Sequence, residues 1–305
     1  MPRTDNLAPI LDRIPALAGR RFDGRAVARL ASLTNRTYRI GLGTDAFVLR
    51  IAGEGTERYI DRAAEAHNAG LAASIGIAPE VVFADARNGV MVTRFIADGM
   101  ALTPKRLRQR GMLQRAVALL RRLHDSGLPF SGRMDLLPKL DEYVSLASKR
   151  RWPGDLDPGA IARHADAARA ALERNRGSQV PSHIDPVPDN FVAAGDGSTL
   201  YLLDWEYSAM CEPMWDLAAL SIEAGLHARQ DDILLAAYFP TVTAAESRRF
   251  VLYKGMLNLM AAAWALVQVA DGNPNADFAA FARDRLARHR AIAESTTYRA
   301  CIAAA

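Results

Sequence analysis

The sequence predicts an α+β protein of two lobes: a small antiparallel sheet with one helix, followed by a larger, mainly helical half. Three observations predict it. Short runs rich in β-branched and aromatic residues, separated by Gly, Thr and Asp turns, crowd the first hundred residues. After "ADGMALTP" the apolar residues recur at helical spacing instead. That helical half is interrupted once, by the short strands "NFVAA" and "TLYLLDWE". The lobes are expected to be residues 1–96 and 97–305, with a cleft between them.

Taken in order, "RAVARLAS", "TYRIGLG" and "DAFVLRIAG" read as the first strands. "TERYIDRAAEAHNAGLAASIG" reads as a helix, with Thr56 as its N-cap and Ile60, Ala64, His67, Leu71 and Ile75 as its apolar stripe. "PEVVFADARNGVMVTRFI" is a hairpin turning at "ARNG". "KRLRQRGMLQRAVALLRRLHDSG" is amphipathic and ends at Gly127, and "DPGAIARHADAARAALERNRG" is a second helix, stopped by Gly177. Beyond the interrupting strands the chain reads as helical to its end. There "FARDRLARHRAIAES" is expected to be a basic helix with a solvated face.

The totals narrow the class. With 305 residues, half of them hydrophobic, the chain can bury a full core. A formal charge of +4 is mildly basic, but no basic tract is interleaved with aromatics, so no nucleic-acid partner is expected. Cys211 and Cys301 stand far apart without metal-ligand spacing, which points to a reducing compartment. The N-terminus lacks a signal-type apolar region. "MLNLMAAAWALVQVA" is short of the ~20 residues a bilayer crossing requires. A soluble, cytoplasmic protein without membrane insertion is therefore expected. His67, His124, His164, His227 and His289 lack metal-like spacing and read as surface or satisfied helix residues.

The densest chemistry lies in "SHIDPVPDNFVAAGDGSTLYLLDWEYSAMCEPMWDLA". Asp185 and Asn190 sit five residues apart on one loop, and a strand, a turn and a second strand then deliver Asp204. A carboxylate and an amide oxygen are hard ligands suited to Mg²⁺, whose charge would offset the repulsion among the acids. Asp185 would remain free to accept a proton. These are the components of phosphoryl transfer: a loop Asp for the hydroxyl, and a loop Asn and strand-end Asp for magnesium on nucleotide phosphates. The plainer alternative makes them turn and capping residues of a Pro-rich loop.

"SHIDPVPDNF" and "LLDWEYSAMCEPMWDLA" resemble the choline/ethanolamine kinases, relatives of the aminoglycoside phosphotransferases with a bilobal protein-kinase-like fold. "FVLRIAGEGTERYIDRAAEAHNAGLAASIGIAPEV", "LRRLHDSG" and "WALVQ" resemble further blocks of that family, so the likeness runs from about Leu30 to about Gln268. It implies an ATP- and Mg²⁺-dependent kinase for the hydroxyl of choline or a related small-molecule amino alcohol. Asp185 would be the base, Asn190 and Asp204 the magnesium ligands, and His183 a brace for the loop, with Asp216 steadying that loop from the next helix.

In the first lobe the resemblance implies that Arg50 reaches the phosphates and pairs with Glu65. A surface Arg and Glu is the alternative. Thr34 and Asn35 match the family's polar pair in the phosphate loop, where the usual preceding glycines are replaced by "ASL". The connector "VTRFIADG" is expected to meet adenine. On the acceptor side, Tyr207, Glu223 and Trp264 match the choline pocket, where aromatic faces and an acid receive the ammonium. Trp264 equally suits a core position, and Glu223, an acid among apolar helix positions, requires a partner. Aromatics expected at Ala261 and near Ala228 are missing. The alternatives are a kinase for thiamine or an aminoglycoside, or a catalytically silent nucleotide-binding regulator.

Overall fold

The computed structural model describes residues 7–20, 26–30, 35–53, 55–56, 60–152, 154–174 and 176–304. In chain order the elements are α1 (Ala8–Leu11), β1 (Val27–Leu30), β2 (Arg36–Leu42), β3 (Asp45–Ile51), α2 (Arg62–Ser74), β4 (Val81–Asp85), β5 (Val90–Arg94) and β6 (Met100–Ala101). Next come α3 (Pro104–Leu107), α4 (Arg110–His124), α5 (Leu136–Ala147), α6 (Pro158–Arg174), β7 (Val180–Ser182), β8 (Phe191–Ala193), β9 (Leu200–Leu202) and β10 (Ala209–Cys211). The last helices are α7 (Pro213–Ala224), α8 (Ala228–Tyr238), α9 (Ala244–Ala270), α10 (Phe278–Ala293) and α11 (Thr296–Ala303). The class is α+β, as expected. Two compact units divide the chain: Met1–Met100 with Ala193–Glu206, and Ala101–Val192 with Tyr207–Ala305.

The first unit is built on an antiparallel sheet of order β1-β2-β3-β5-β4. In β3 the period of two buries Phe47, Leu49 and Ile51 and puts Arg50 on the opposite face. The hairpin turns at Gly89, where φ is 61° and an added Cβ would come 2.5 Å from that of Ala52. The charged N-terminal stretch contributes core as well: Leu7, Leu11, Ile14 and Leu17 join Tyr38, Ile40, Phe47 and Leu49 in one cluster. A four-residue helix is unstable alone, but each such side chain, fully buried, is worth about 1.5–3 kcal/mol.

Helix α2 departs from expectation in two ways. Its N-cap is Asp61, whose carboxylate accepts from the N–H groups of Ala63 and Ala64. Thr56 instead donates to the Gly53 carbonyl. The buried face carries Arg62, Glu65, Asn68, Ala69 and Ala72, whereas His67 is exposed. Ion pairing inside the unit, rather than apolar periodicity, selects that face.

In the second unit, α5, α6, α7, α10 and α11 pack around α9. That helix starts at a capping box in which Thr243 Oγ1 accepts from the Glu246 N–H, and Glu246 accepts from the Thr243 N–H. The apolar run expected to be too short for a membrane belongs to this 27-residue helix. Among the described residues it is the one helix long and apolar enough to cross, and 72% of its most apolar 18-residue window is buried inside the protein. Strands β7 and β10 pair antiparallel, Ala209 opposite Ser182 and Cys211 opposite Val180. Both cysteines are buried and free.

Candidate active site

In the second unit, β7 delivers the chain into the loop from His183 to Asn190, which closes in a 3-10 turn over Pro188–Asn190. Ile184, just before Asp185, has φ 74°, a region that β-branched residues avoid. Both of its backbone polar groups are held. Its N–H donates to Asp216 Oδ1 at 2.7 Å, and its carbonyl accepts from Trp215 Nε1 at 2.9 Å. Asp216 Oδ2 accepts from the His183 N–H at 2.8 Å and lies 3.0 Å from His124 Nε2. Asp216 is therefore a fully buried clamp on the loop, and its bonds are of the strong, charge-assisted kind.

His124 completes this arrangement. A carboxylate only accepts, so Nε2–H donates to Asp216 and Nδ1 is left to accept from the Tyr238 hydroxyl at 2.8 Å. Burial pushes the Tyr238 phenol up, which keeps that donor proton in place. Asn190 turns its amide nitrogen onto Asp185, 2.9 Å from the carbonyl and 3.5 Å from Oδ2. The amide oxygen is then the end of Asn190 left to meet a cation. His183 is buried, and Asp185 and Asn190 are half-buried.

The first unit holds a second charged cluster. Arg50 bonds Glu65 and lies 3.8 Å from Glu206. Arg62 reaches Glu65 at 2.8 Å, Glu206 at 3.2 Å, Asn35 Oδ1 at 3.3 Å and Thr56 Oγ1 at 2.8 Å. Asn35 also donates to Glu206 at 3.3 Å. Burial opposes the Arg50 charge, but Glu65, with Asp204 and Glu206, outweighs it and raises its hold on the proton. Asp204 follows β9 at φ 64° and is exposed. Glu65, Asp204 and Glu206 each offer a carboxylate oxygen, all within 4.8 Å of one another. Hard, anionic oxygens of this kind fit magnesium. Arg50 and Arg62 engage both glutamates, which are buried, and Asp204 is the exposed acid of the three. Thr34 lies outside the described residues.

Of the acceptor-side residues, Tyr207 is half-buried at the end of a 3-10 turn. Glu223, near the end of α7, pairs with Arg285 of α10, nitrogen to oxygen 2.7 Å at each carboxylate oxygen. The Arg285 guanidinium stacks 4.6 Å from the Phe281 ring centre. Trp264 is half-buried, edge-on to Phe278 at 5.5 Å and to Phe281 at 6.1 Å. Trp264 and Glu223 are thus linked through Phe281 and Arg285. The stretch read as a basic amphipathic helix has its solvated face at Arg283, Asp284, Arg288 and Arg290, and its other face buries Arg285, Leu286 and His289, where Glu223 and the Phe281 face supply the guanidinium's partners.

Sequence reasoning passed over Arg62, Glu206 and Arg285, and read His124 as a surface or satisfied helix residue without tying it to Asp216. Weak signals existed for three of them. Arg62 stands three residues before Glu65, Glu206 two after Asp204, and His124 inside "LRRLHDSG".

A kinase-like fold with an Asp–Asn loop clamped from the following helix and a buried Arg–Glu cluster beside a strand-end Asp defines a phosphotransferase. The chain belongs to the phosphotransferase enzyme family, whose family model matches residues 26–251. A choline/ethanolamine kinase family protein from Mesorhizobium loti is 38% identical, over 99% of this chain and 98% of that one, with a TM-score of 0.85. The LicA protein of Haemophilus influenzae is 27% identical over 262 residues, 82% of this chain and 75% of that protein. The choline kinase LicA from Streptococcus pneumoniae shares the fold, with a TM-score of 0.75 at 23% identity over 87% of this chain and 93% of its own. The chain is accordingly a small-molecule kinase with an alcohol as acceptor.

Proposed function

We propose that this chain is an ATP- and Mg²⁺-dependent kinase that phosphorylates the hydroxyl of choline or a related amino alcohol. The observation that carries the reading is the loop before Asn190, where Asp216 and Trp215 pin Ile184 in a strained conformation and so fix where Asp185 points. Asp185 takes the acceptor's hydroxyl proton as that oxygen attacks the γ-phosphorus in line, and ADP leaves with the electron pair of the broken P–O bond. His183 braces the loop from its buried position. Arg50, oriented by Glu65, and Thr34 with Asn35 hold the nucleotide phosphates. Asn190 and Asp204 would hold magnesium, which when bound offsets the phosphate charge. Tyr207, Glu223 and Trp264 receive the amine head.

The test is ADP release with Mg-ATP and choline, 2-aminoethanol, thiamine, an aminoglycoside or no acceptor, with Asp185→Asn run beside the wild type. An amino alcohol should stimulate release, and the variant should lose about 10²–10⁴ of the rate. Stimulation by thiamine or the aminoglycoside alone would overturn the acceptor assignment. Near-normal turnover in the variant would overturn the role of Asp185.

A further inference from the structure

We propose that Arg285 is a specificity-determining residue that makes the acceptor site favour an amine bearing N–H bonds over a quaternary ammonium. The inference deepens the reading of Glu223 and Trp264 as acceptor-side residues and rests on it. Arg285 supplies one nitrogen to each oxygen of the Glu223 carboxylate at 2.7 Å and lays its guanidinium over the Phe281 ring at 4.6 Å. Its Nε and Nη1 are buried without a hydrogen-bond acceptor among the described residues, so the Nη2 bond and ion pair to Glu223 and the ring are what anchor this group. A cation of the chain itself thus occupies both features that a quaternary ammonium depends on: an unopposed negative charge and an open aromatic face.

The two kinds of amine meet this pair differently. A trimethylammonium group has no N–H, so only the net field of the site and ring contacts can hold it. Beside a closed guanidinium–carboxylate pair that field is dipolar and falls off quickly. A primary ammonium carries three donors, and a carboxylate has about four lone-pair positions, of which the Arg285 Nη2 hydrogen bond uses one. The exposed partner of the pair is also the acid: the Glu223 side chain is 24% exposed and that of Arg285 7%. An incoming N–H can therefore reach Glu223 without displacing Arg285. Ala261, one turn before Trp264, supplies no extra ring to compensate a trimethylammonium head.

The experiment compares 2-aminoethanol with its N-trimethyl derivative in the wild type, Arg285→Gln and Arg285→Lys. Affinity is read by titration calorimetry and kcat/KM by ADP release, with a thermal melt to confirm folding. The wild type should favour the primary amine by about tenfold or more in both readouts. Arg285→Gln should shift the ratio by about tenfold toward the quaternary compound, and Arg285→Lys, which keeps the charge, should stay near the wild-type ratio. A merely structural role would lower both affinities together. The wild-type ratio is decisive even where Arg285→Gln does not fold: equal or reversed preference overturns the proposal. If the primary amine binds selectively but neither alcohol is phosphorylated, the reading of an amino-alcohol acceptor falls and the role of Arg285 stands. If both are phosphorylated equally well, the kinase reading stands and the role of Arg285 falls. Binding of neither compound overturns both.

Discussion

Asp216 accepts the backbone N–H of Ile184 at 2.7 Å and so holds a β-branched residue at φ 74° immediately before Asp185. A conformation of that kind costs on the order of 1–3 kcal/mol and persists only where its surroundings over-determine it. Here they do. Asp216 also accepts from the His183 N–H and from His124 Nε2, and Trp215 Nε1 donates to the Ile184 carbonyl. Two adjacent residues at the start of α7 thus set the direction of a loop some thirty positions earlier in the chain.

Asp216→Asn replaces one acceptor oxygen with an NH₂ group that meets N–H donors. A hydrogen bond to a charged group is worth about 1.5–3 kcal/mol. The variant should lose at least about that much stability in a denaturant titration, and turnover should fall at least about tenfold as the strained loop relaxes. Unchanged turnover at reduced stability would show that the clamp serves folding alone.

Asp204→Ala should remove most of the magnesium dependence of nucleotide binding, because it deletes the most exposed acid of the Glu65–Asp204–Glu206 group. Titration of ATP with and without Mg²⁺ measures this. An undiminished magnesium effect would shift the metal to other ligands.

Arg62 neutralises two buried glutamates at once and contacts Asn35 and Thr56 as well. Arg62→Met takes one guanidinium from both Glu65 and Glu206, leaving Arg50 to serve the two acids and Asn35 to donate to Glu206. Breaking a buried pair from one side costs about 3–5 kcal/mol. The melting temperature should drop, and the KM for ATP should rise more than the KM for the acceptor, since Glu65 loses one of the two guanidiniums that orient it. Equal increases in both KM values would count against a nucleotide-side role.

Trp264→Ala is expected to raise the acceptor KM several-fold while leaving that for ATP within about twofold, the loss of an aromatic contact being worth about 0.5–1.5 kcal/mol. The edge-on contacts with Phe278 and Phe281 make some destabilisation certain. A thermal melt beside the kinetics separates the two effects, and a parallel rise in both KM values would make Trp264 a core residue.

His289 supplies a pH prediction. Burial lowers its pKa, with the Gly255 carbonyl opposing and His164 and Arg290 adding to the shift; the Tyr298 ring packs on its other side. A histidine depressed in the folded state takes up a proton more readily once unfolded. Its contribution is therefore complete above the unfolded value near 6.5 and is lost as pH falls below it toward the folded value. Melting temperature should decline from about pH 7 to pH 5, and His289→Gln should flatten that slope. An identical slope in the variant would assign the acid sensitivity to other groups.

What the sequence by itself determined about this protein is what local pattern encodes. The α+β class, the first strands, the turn at Gly89 and the end of α4 before Gly127 all follow from periodicities and punctuation that span a few residues, whereas the short strands β6, β7 and β10 and the break between α3 and α4 do not. The loop containing Asp185 and Asn190 could be singled out for the same reason, since its chemistry is concentrated in one short stretch. Only the tertiary structure decided which charges meet. Arg62 and Glu206 stand 144 positions apart, and Glu223 and Arg285 stand 62 apart. No helical or strand period reaches across such separations. A buried charge is tolerated only where folding brings it a partner, so pairing lets Arg62 and Glu65 lie on the buried face of α2 and Arg285 on that of α10. The left-handed backbone at Ile184 has the same origin: nothing in an isoleucine favours it, and the carboxylate of Asp216 imposes it on the loop from α7.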